Sequence, residues 1–599
     1  MVPRLLPGTL IALRAEHDLD EGRLTAYLLR MRLPYASVLG LLLAGHSSAH
    51  AQAPAHRVAD LVIRHATVWT VDPAHPRASA VAVVADTIVA VGTDAEIGAW
   101  IGRRTRVIEA HGRTLLPGFT DAHVHFLMGS FALARVALGD ASNLTELRAT
   151  LRGWQEKNPG TSWVLGRGWT YAMIGGDGMP SRRDLDEIFP DRPVILSSYD
   201  GHSSWVNSRA LALAGITRDT PDPANGVIVH DSAGEPSGAL KEKASALVNR
   251  IVPTSSPEET KTALLTGLKY ASSVGVTRVH SAHGDFELLP LLDSLHAVGA
   301  LSVRFDVGAF VDPPLLQPSF VAKIDSARQR YRGDWVSANL VKLMIDGVVE
   351  SRTAAMLAPY TTDSTSSGAL FWPVEAYTAA VTELDAKGFR VMTHAIGDRG
   401  IRTVLDAYAS ARRTNGPRDR IQRIEHVETI DTADIARFGR DGVIASMQPL
   451  HAYPEGAGSE GPWSRAIGPD RASHAWLWKK IATGNGRLAF GSDWPVVTLN
   501  PWPGVQVAVN RQTENGAPPT GFVPSERLDV ATAIAGYTIG AAIAGGREKK
   551  EGSITQGKLA DFVLVARDPF TASPLQLASM KVDMTIVGGR VVYRRAPSR

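Results

Sequence analysis

Between residues 276 and 492 the chain alternates short apolar, strand-like runs with longer amphipathic stretches, and this rhythm limits its possible folds more than any other feature. The runs cover residues 276–282, 302–310, 340–346, 390–396, 422–427, 442–448 and 487–492, and helical spacing marks the text between them, for instance 374–387 and 400–413. Strands alternating with helices predict a parallel sheet with helices packed outside it. An eighth run, residues 115–126, lies upstream. Eight such units are the count of a (β/α)8 TIM-like barrel, in which working side chains sit at the C-terminal ends of the strands. On rhythm alone, an α/β domain of another strand order stays open.

The upstream run reads Leu-Leu-Pro-Gly-Phe-Thr-Asp-Ala-His-Val-His-Phe and ends in His123 and His125. Positions i and i+2 of a strand face the same way, so both imidazoles converge on one point. Neutral imidazole is a common ligand for zinc and similar cations, although an isolated pair is as readily two ordinary histidines. Cysteine is absent, which excludes disulfides, thiolate catalysis and thiolate ligands. Any metal must therefore sit on His, Asp, Glu or a modified Lys.

The later runs supply such groups near their ends: Lys342, His394, His426 and Asp493. Alternation puts Lys342, Met344 and Asp346 on one face. If that face points inward, Lys342 is a buried ammonium, which is costly unless paired or neutralised. A lysine bonded to a carboxylate is the plain alternative. His394 and His426 are compatible with satisfied core histidines, and Asp493, just before Trp494-Pro495, with a helix cap. Their spacing suits the barrel, with room for one βα unit from His394 to His426 and two more to Asp493.

The ends read differently. Residues 1–30 fit no class, but from Met31 a short basic start and an apolar run lead to the small-x-small triplet Ala49-His50-Ala51, as in a secretory signal peptide. The expectation is a leader over 1–51, translation from Met31, a mature chain from Gln52, and a periplasmic or secreted location. The apolar run is short for a membrane span, so no stable span is expected after removal of the signal. Residues 57–118 and 548–597 are short β segments with Pro, Gly and Asp between them, which suggests one small β-sandwich built from both chain ends. That leaves 119–547 for the barrel. About 130–270 is too long for one crossover and reads as an inserted cap.

Ordered blocks carry a resemblance: PGFTDAHVHF, DGHSSWVNSRAL, VKLMIDGVVESRTAAM, THAIGDRG, RIEHVE, SMQPLH, FGSDWPV and QGKLADFVLV. Together they resemble the amidohydrolase superfamily, and within it the YtcJ-like, amidohydrolase 3 branch, over roughly residues 57–597. The resemblance implies one or two divalent cations, zinc foremost, on His123, His125, Lys342, His394, His426 and Asp493, with Lys342 carboxylated as a bridging ligand. It implies a metal-activated water as nucleophile and Asp493 as the group that takes its proton and passes it to the leaving nitrogen. His202, in the cap, would polarise the scissile carbonyl or bind substrate, with a structural histidine the alternative. Arg352, His451 and Trp494 would contact substrate. His280 and His283 read as structural or supporting, and Trp169 and Trp205 as core or pocket wall.

The expected activity is metal-dependent hydrolysis of a non-peptide C–N bond in a small molecule: an amide, N-acyl or N-formyl group. The same centre would serve an ester or lactone, and an inactive periplasmic binding protein is the reading from another class. A glycosidase needs two facing carboxylates rather than a histidine cluster. A net charge of +3 without a basic block is too small to argue for nucleic acid, and no such partner is expected. Self-association is left open.

Overall fold

The computed structural model describes residues 58–596 apart from 134, 140, 161, 176–178 and 453–460. The expected leader lies outside the described residues. Eight parallel strands form the central sheet: β1 (Phe119–Val124), β2 (Val276–Ser281), β3 (Arg304–Phe310), β4 (Val336–Met344), β5 (Arg390–Ala395), β6 (Gln422–His426), β7 (Ile444–Met447) and β8 (Arg487–Phe490), paired in that order. The sheet curls into a nearly closed barrel. At its seam Asp493 N–H donates to the His123 carbonyl (2.6 Å), and His125 N–H to the Trp494 carbonyl (2.7 Å). β1 and β2 are buried along their whole length, because helices cover the outside while side chains fill the inside.

The crossover helices follow from local signals. The helix Pro257–Ser273 starts with Ser256 and Glu259 in a reciprocal capping box and Pro257 in the first turn. Asp398–Asn415, after β5, turns Ile401, Val404, Leu405, Tyr408 and Ala411 inward at helical spacing. One strand departs from expectation: β4 covers 336–344, not 340–346. Asp346 lies past its end and accepts N–H bonds from Ala355 (2.9 Å), Ile396 (3.1 Å) and Gly397 (2.9 Å). A carboxylate committed to three loop amides marks where the chain leaves the sheet.

Both chain ends meet in a six-stranded sheet, where Phe562–Val565 pairs antiparallel with Thr114–Pro117. A four-stranded sheet from residues 61–109 faces it across a core that includes Ile63, Val81, Leu115, Phe562 and Leu564. The insertion holds a third, six-stranded mixed sheet in which Val164–Trp169 and Val194–Ser198 pair in parallel. Its own core contains Leu147, Trp169, Leu196 and Trp205.

Buried charges tie the N-terminal half of the barrel strands to the C-terminal segment. Asp306 receives Arg278 (2.9 Å) and Arg547 (2.9 Å), Arg278 also reaches Glu551 (2.7 Å), and Arg304 grips Asp561 through two bonds of 2.7 and 3.0 Å. Among the described residues no helix is long and apolar enough to cross a membrane.

Candidate metal centre

The seam that closes the barrel also assembles the centre. β1 delivers His123 and, one residue past its end, His125, and the two seam bonds bring Asp493 against them. Asp493 and His426 have left-handed backbones, with φ of +60° and +75°, which end their strands and turn both side chains into the mouth. Gly491 precedes this turn where a Cβ would lie 2.6 Å from the His123 nitrogen and 2.7 Å from the Asp121 carboxylate. Only glycine fits there. Asp121 fastens the seam from below by accepting the N–H groups of His123 (3.1 Å) and Ser492 (2.9 Å).

Asp493 Oδ1 lies 3.1 Å from His125 Nε2 and 3.4 Å from His123 Nε2, and its Oδ2 lies 4.0 Å from His426 Nδ1. Lys342 Nζ is 3.1 Å from His123 Nε2. The His394 ring stands 4.5 Å from that of His426, and its Nε2 faces the Gly347 carbonyl at 3.1 Å. Two sets of donor atoms are close enough to share a cation, His123 with His125 and Asp493, and His426 with His451 and Asp493. Asp493 belongs to both. His451, expected to read substrate, thus stands among the donors.

The donor chemistry fits a divalent cation. Burial, then the positive Lys342, holds His123 well below the ordinary histidine value. Burial does the same for His394 and His426. These three imidazoles are therefore neutral, with lone pairs to give. Burial opposes the charge on Asp493, but as pH falls His123, His125 and His426 take up protons before it does, and their charge holds the carboxylate well below its ordinary value. The Nδ1 atoms of His125 and His426, and Asp493 Oδ1, are buried without a hydrogen-bond partner. Donors sharing one tetrahedral cation at ~2.0–2.1 Å lie ~3.3 Å apart, close to the two short separations around Asp493.

Glu425, absent from the sequence reading, supports this set. Its Oε2 accepts from His123 Nδ1 at 2.6 Å, and Arg423 holds its other oxygen at 2.7 Å. A carboxylate behind a ligand histidine fixes the tautomer that aims Nε2 at the metal. Its place in Arg-Ile-Glu-His, two residues from Arg423 and one from His426, was the available signal.

A cavity of about 650 Å³ opens onto the centre. Asp493, His394 and His426 line it together with His202, His451 and Trp494. His202 comes from the cap; its Nδ1 meets Glu242 at 2.9 Å, and its ring lies 5.5 Å from His394. Burial alone would strip its proton, but Glu242 restores it and raises the pKa to about 9. His202 is an imidazolium at neutral pH. Glu242 also accepts from the Thr353 hydroxyl (2.6 Å), which ties the cap to the loop after β4.

Arg352 does not line the cavity. Its backbone turns through a φ of +61°, its charge acts on Asp363, and Glu350, two residues earlier, reaches the wall instead. His283 stacks on Phe310 (4.1 Å) with its ring 6.0 Å from that of His125, and His280 pairs with Arg423 (2.9 Å). Trp169 and Trp205 are core of the cap.

The sequence pattern of the amidohydrolase family matches residues 106–593. The protein LONG AFTER FAR-RED 3 of Arabidopsis thaliana is 32% identical over 90% of this chain and 92% of its own. The putative amidohydrolase YtcJ of Bacillus subtilis is 31% identical over 82% and 91%. The N-substituted formamide deformylase of Arthrobacter pascens is 28% identical over 90% and 99%. The crystal structure of a metal-dependent hydrolase from Pyrococcus horikoshii shares the fold, with a TM-score of 0.68 and 23% identity over 86% of this chain and 99% of that one.

Proposed function

This chain belongs to the amidohydrolase family, and from that premise we propose that it is an exported enzyme hydrolysing a non-peptide C–N bond of a small molecule, an amide, N-acyl or N-formyl group. The observation that carries the reading is the ionised Asp493 carboxylate, 3.1 and 3.4 Å from two histidines, in one cavity with the His202 imidazolium. His123, His125, Lys342, His394, His426 and Asp493 would hold one or two divalent cations, zinc foremost, with His451 a further donor. Such a cation supplies Lewis acidity and lowers the pKa of water toward neutrality.

The chain's own groups do the rest. Asp493 takes a proton from the attacking water on a carboxylate oxygen and delivers it to the departing nitrogen, since an amide anion is a very poor leaving group. His202, held through Nδ1 by Glu242, donates its remaining N–H to the substrate carbonyl oxygen as negative charge builds there. Burial pulls Lys342 down to about 8, so part of it is a neutral amine at neutral pH. That amine can add to carbon dioxide with loss of a proton, and the resulting carbamate would give the cation a further anionic ligand. The formamide deformylase relative favours an N-formyl group among the substrates.

Zinc-supplemented protein is screened against N-formyl, N-acyl and ester compounds, with metal content measured for the parent and for His123→Ala. The expected result is release of amine by the parent, and a folded variant that has lost both metal and turnover. Full metal content with undiminished turnover in His123→Ala rejects the centre, and ester-only hydrolysis rejects the C–N reading. N-terminal sequencing of the mature protein tests export, with Gln52 as the expected first residue.

A further inference from the structure

We propose that Arg167 binds a carboxylate on the substrate. The assignment rests on the amide-hydrolysing reading of this cavity and narrows its substrates to N-acyl or N-formyl amines that carry an acid group.

Arg167 lies on the cap strand Val164–Trp169 and lines the cavity that holds His202, His394 and Asp493. It is 9% exposed. Nη2 donates to the Tyr199 carbonyl, whereas Nε and Nη1 are buried with no hydrogen-bond partner among the described residues. A buried guanidinium with open N–H groups is costly to keep, and the neighbouring acids do not relieve it. Asp200 accepts from the Ser198 hydroxyl, the His202 N–H and the Tyr171 hydroxyl, and Asp493 is set among the histidines. Their fields reach Arg167, but burial outweighs them and brings it down to about 10, still charged at neutral pH.

Among the described residues no carboxylate is hydrogen-bonded to this guanidinium, and its Nε and Nη1 are left for a partner from the cavity. A carboxylate matches open guanidinium N–H groups in shape and charge. Asp200, Glu350 and Glu428 line the same cavity, so a singly charged group meets less repulsion there than a doubly charged phosphate.

The test uses three probes: racemic N-formylphenylalanine; N-formylphenethylamine, which is the same molecule without the carboxylate; and the phosphonate analogue of the first. Each is titrated calorimetrically into zinc-loaded, full-length Asp493→Asn protein, chosen to bind without turnover. The carboxylate is expected to bind about 100-fold more tightly than the uncharged probe, as charge-assisted hydrogen bonds of this kind imply. Adding Arg167→Met should bring the two within a few-fold, and Arg167→Lys should retain part of the preference. Arg167→Met alone should melt at or above the parent, because it removes an uncompensated buried charge; a structural arginine would melt lower.

Equal affinity for the charged and uncharged probes, no binding of either, or a preference that survives Arg167→Met overturns the assignment. Tighter binding of the phosphonate overturns the carboxylate. The preference within the Arg167-intact protein stands as a test even if Arg167→Met fails to fold. Turnover by the parent is read separately: carboxylate-selective binding without release of amine keeps Arg167 in its role and rejects the hydrolytic reading alone.

Discussion

Asp493 is where metal binding and catalysis separate. Asparagine keeps its shape and one ligand oxygen but cannot accept a proton. Asp493→Asn should therefore lower kcat by at least ~10²–10⁴-fold, the usual worth of general acid–base catalysis, while metal analysis finds most of the cation retained on the histidines. A variant within a few-fold of the parent would pass the proton to another group, with His202 first in line. At this scale the sequence was most legible where chemistry coincides with a strand end. His123, His125, His394, His426 and Asp493 end their runs, and the structure sets His123, His125 and His426 around Asp493, with the His394 ring beside that of His426. Glu425 and Glu242 were not legible. A carboxylate acquires meaning from the imidazole it meets, and those partners lie 302 and 40 residues away. Arg167 carries no signal in the sequence, because only burial reveals that two of its nitrogens lack partners.

Among the elements, periodicity carried far. β2 (Val276–Ser281), β5 (Arg390–Ala395) and β6 (Gln422–His426) fall within a residue of the runs at 276–282, 390–396 and 422–427. The end of β4 did not, because Asp346 answers to amides on two loops that no local pattern announces. The cap meets the barrel through Glu242, which joins His202 to Thr353, and this contact has a pH consequence. His202 keeps its proton up to about 9 in the folded protein, so catalysis that needs the imidazolium holds at neutral pH and falls as pH rises through that value. Glu242→Gln removes the charge that raises it, and the alkaline limb of kcat/KM should move toward neutrality. An unmoved limb in that variant would show that the His202 proton is not used.

Across the whole molecule, β texture at both ends announced the sandwich, whereas the charges beneath the barrel were not announced: Arg278 and Glu551 are 273 residues apart, and Arg304 and Asp561 257. Burial opposes the charge on Asp306, but Arg547 and Arg278 prevail and hold it well below the carboxylate range. Its contribution to stability is therefore present above the unfolded value near ~3.9 and is lost as pH falls through the lower folded value. Asp306→Ala removes the carboxylate that both arginines share, leaving Arg278 to Glu551 and Arg547 to Asp334, and should cost about 3–5 kcal/mol, read as a lower unfolding midpoint in urea at neutral pH. A midpoint unchanged from the parent would mean that water already shares those charges. The barrel seam has a different consequence, one of timing. The two histidines of β1 are made early, but Asp493 and the peptides that press it against them come some 370 residues later. A ribosome must deliver most of the chain before the donors can converge, so the cation is captured only after synthesis. A chain threaded unfolded through a membrane, as the proposed export requires, would arrive empty, and the metal supply of the receiving compartment would decide which ion it keeps.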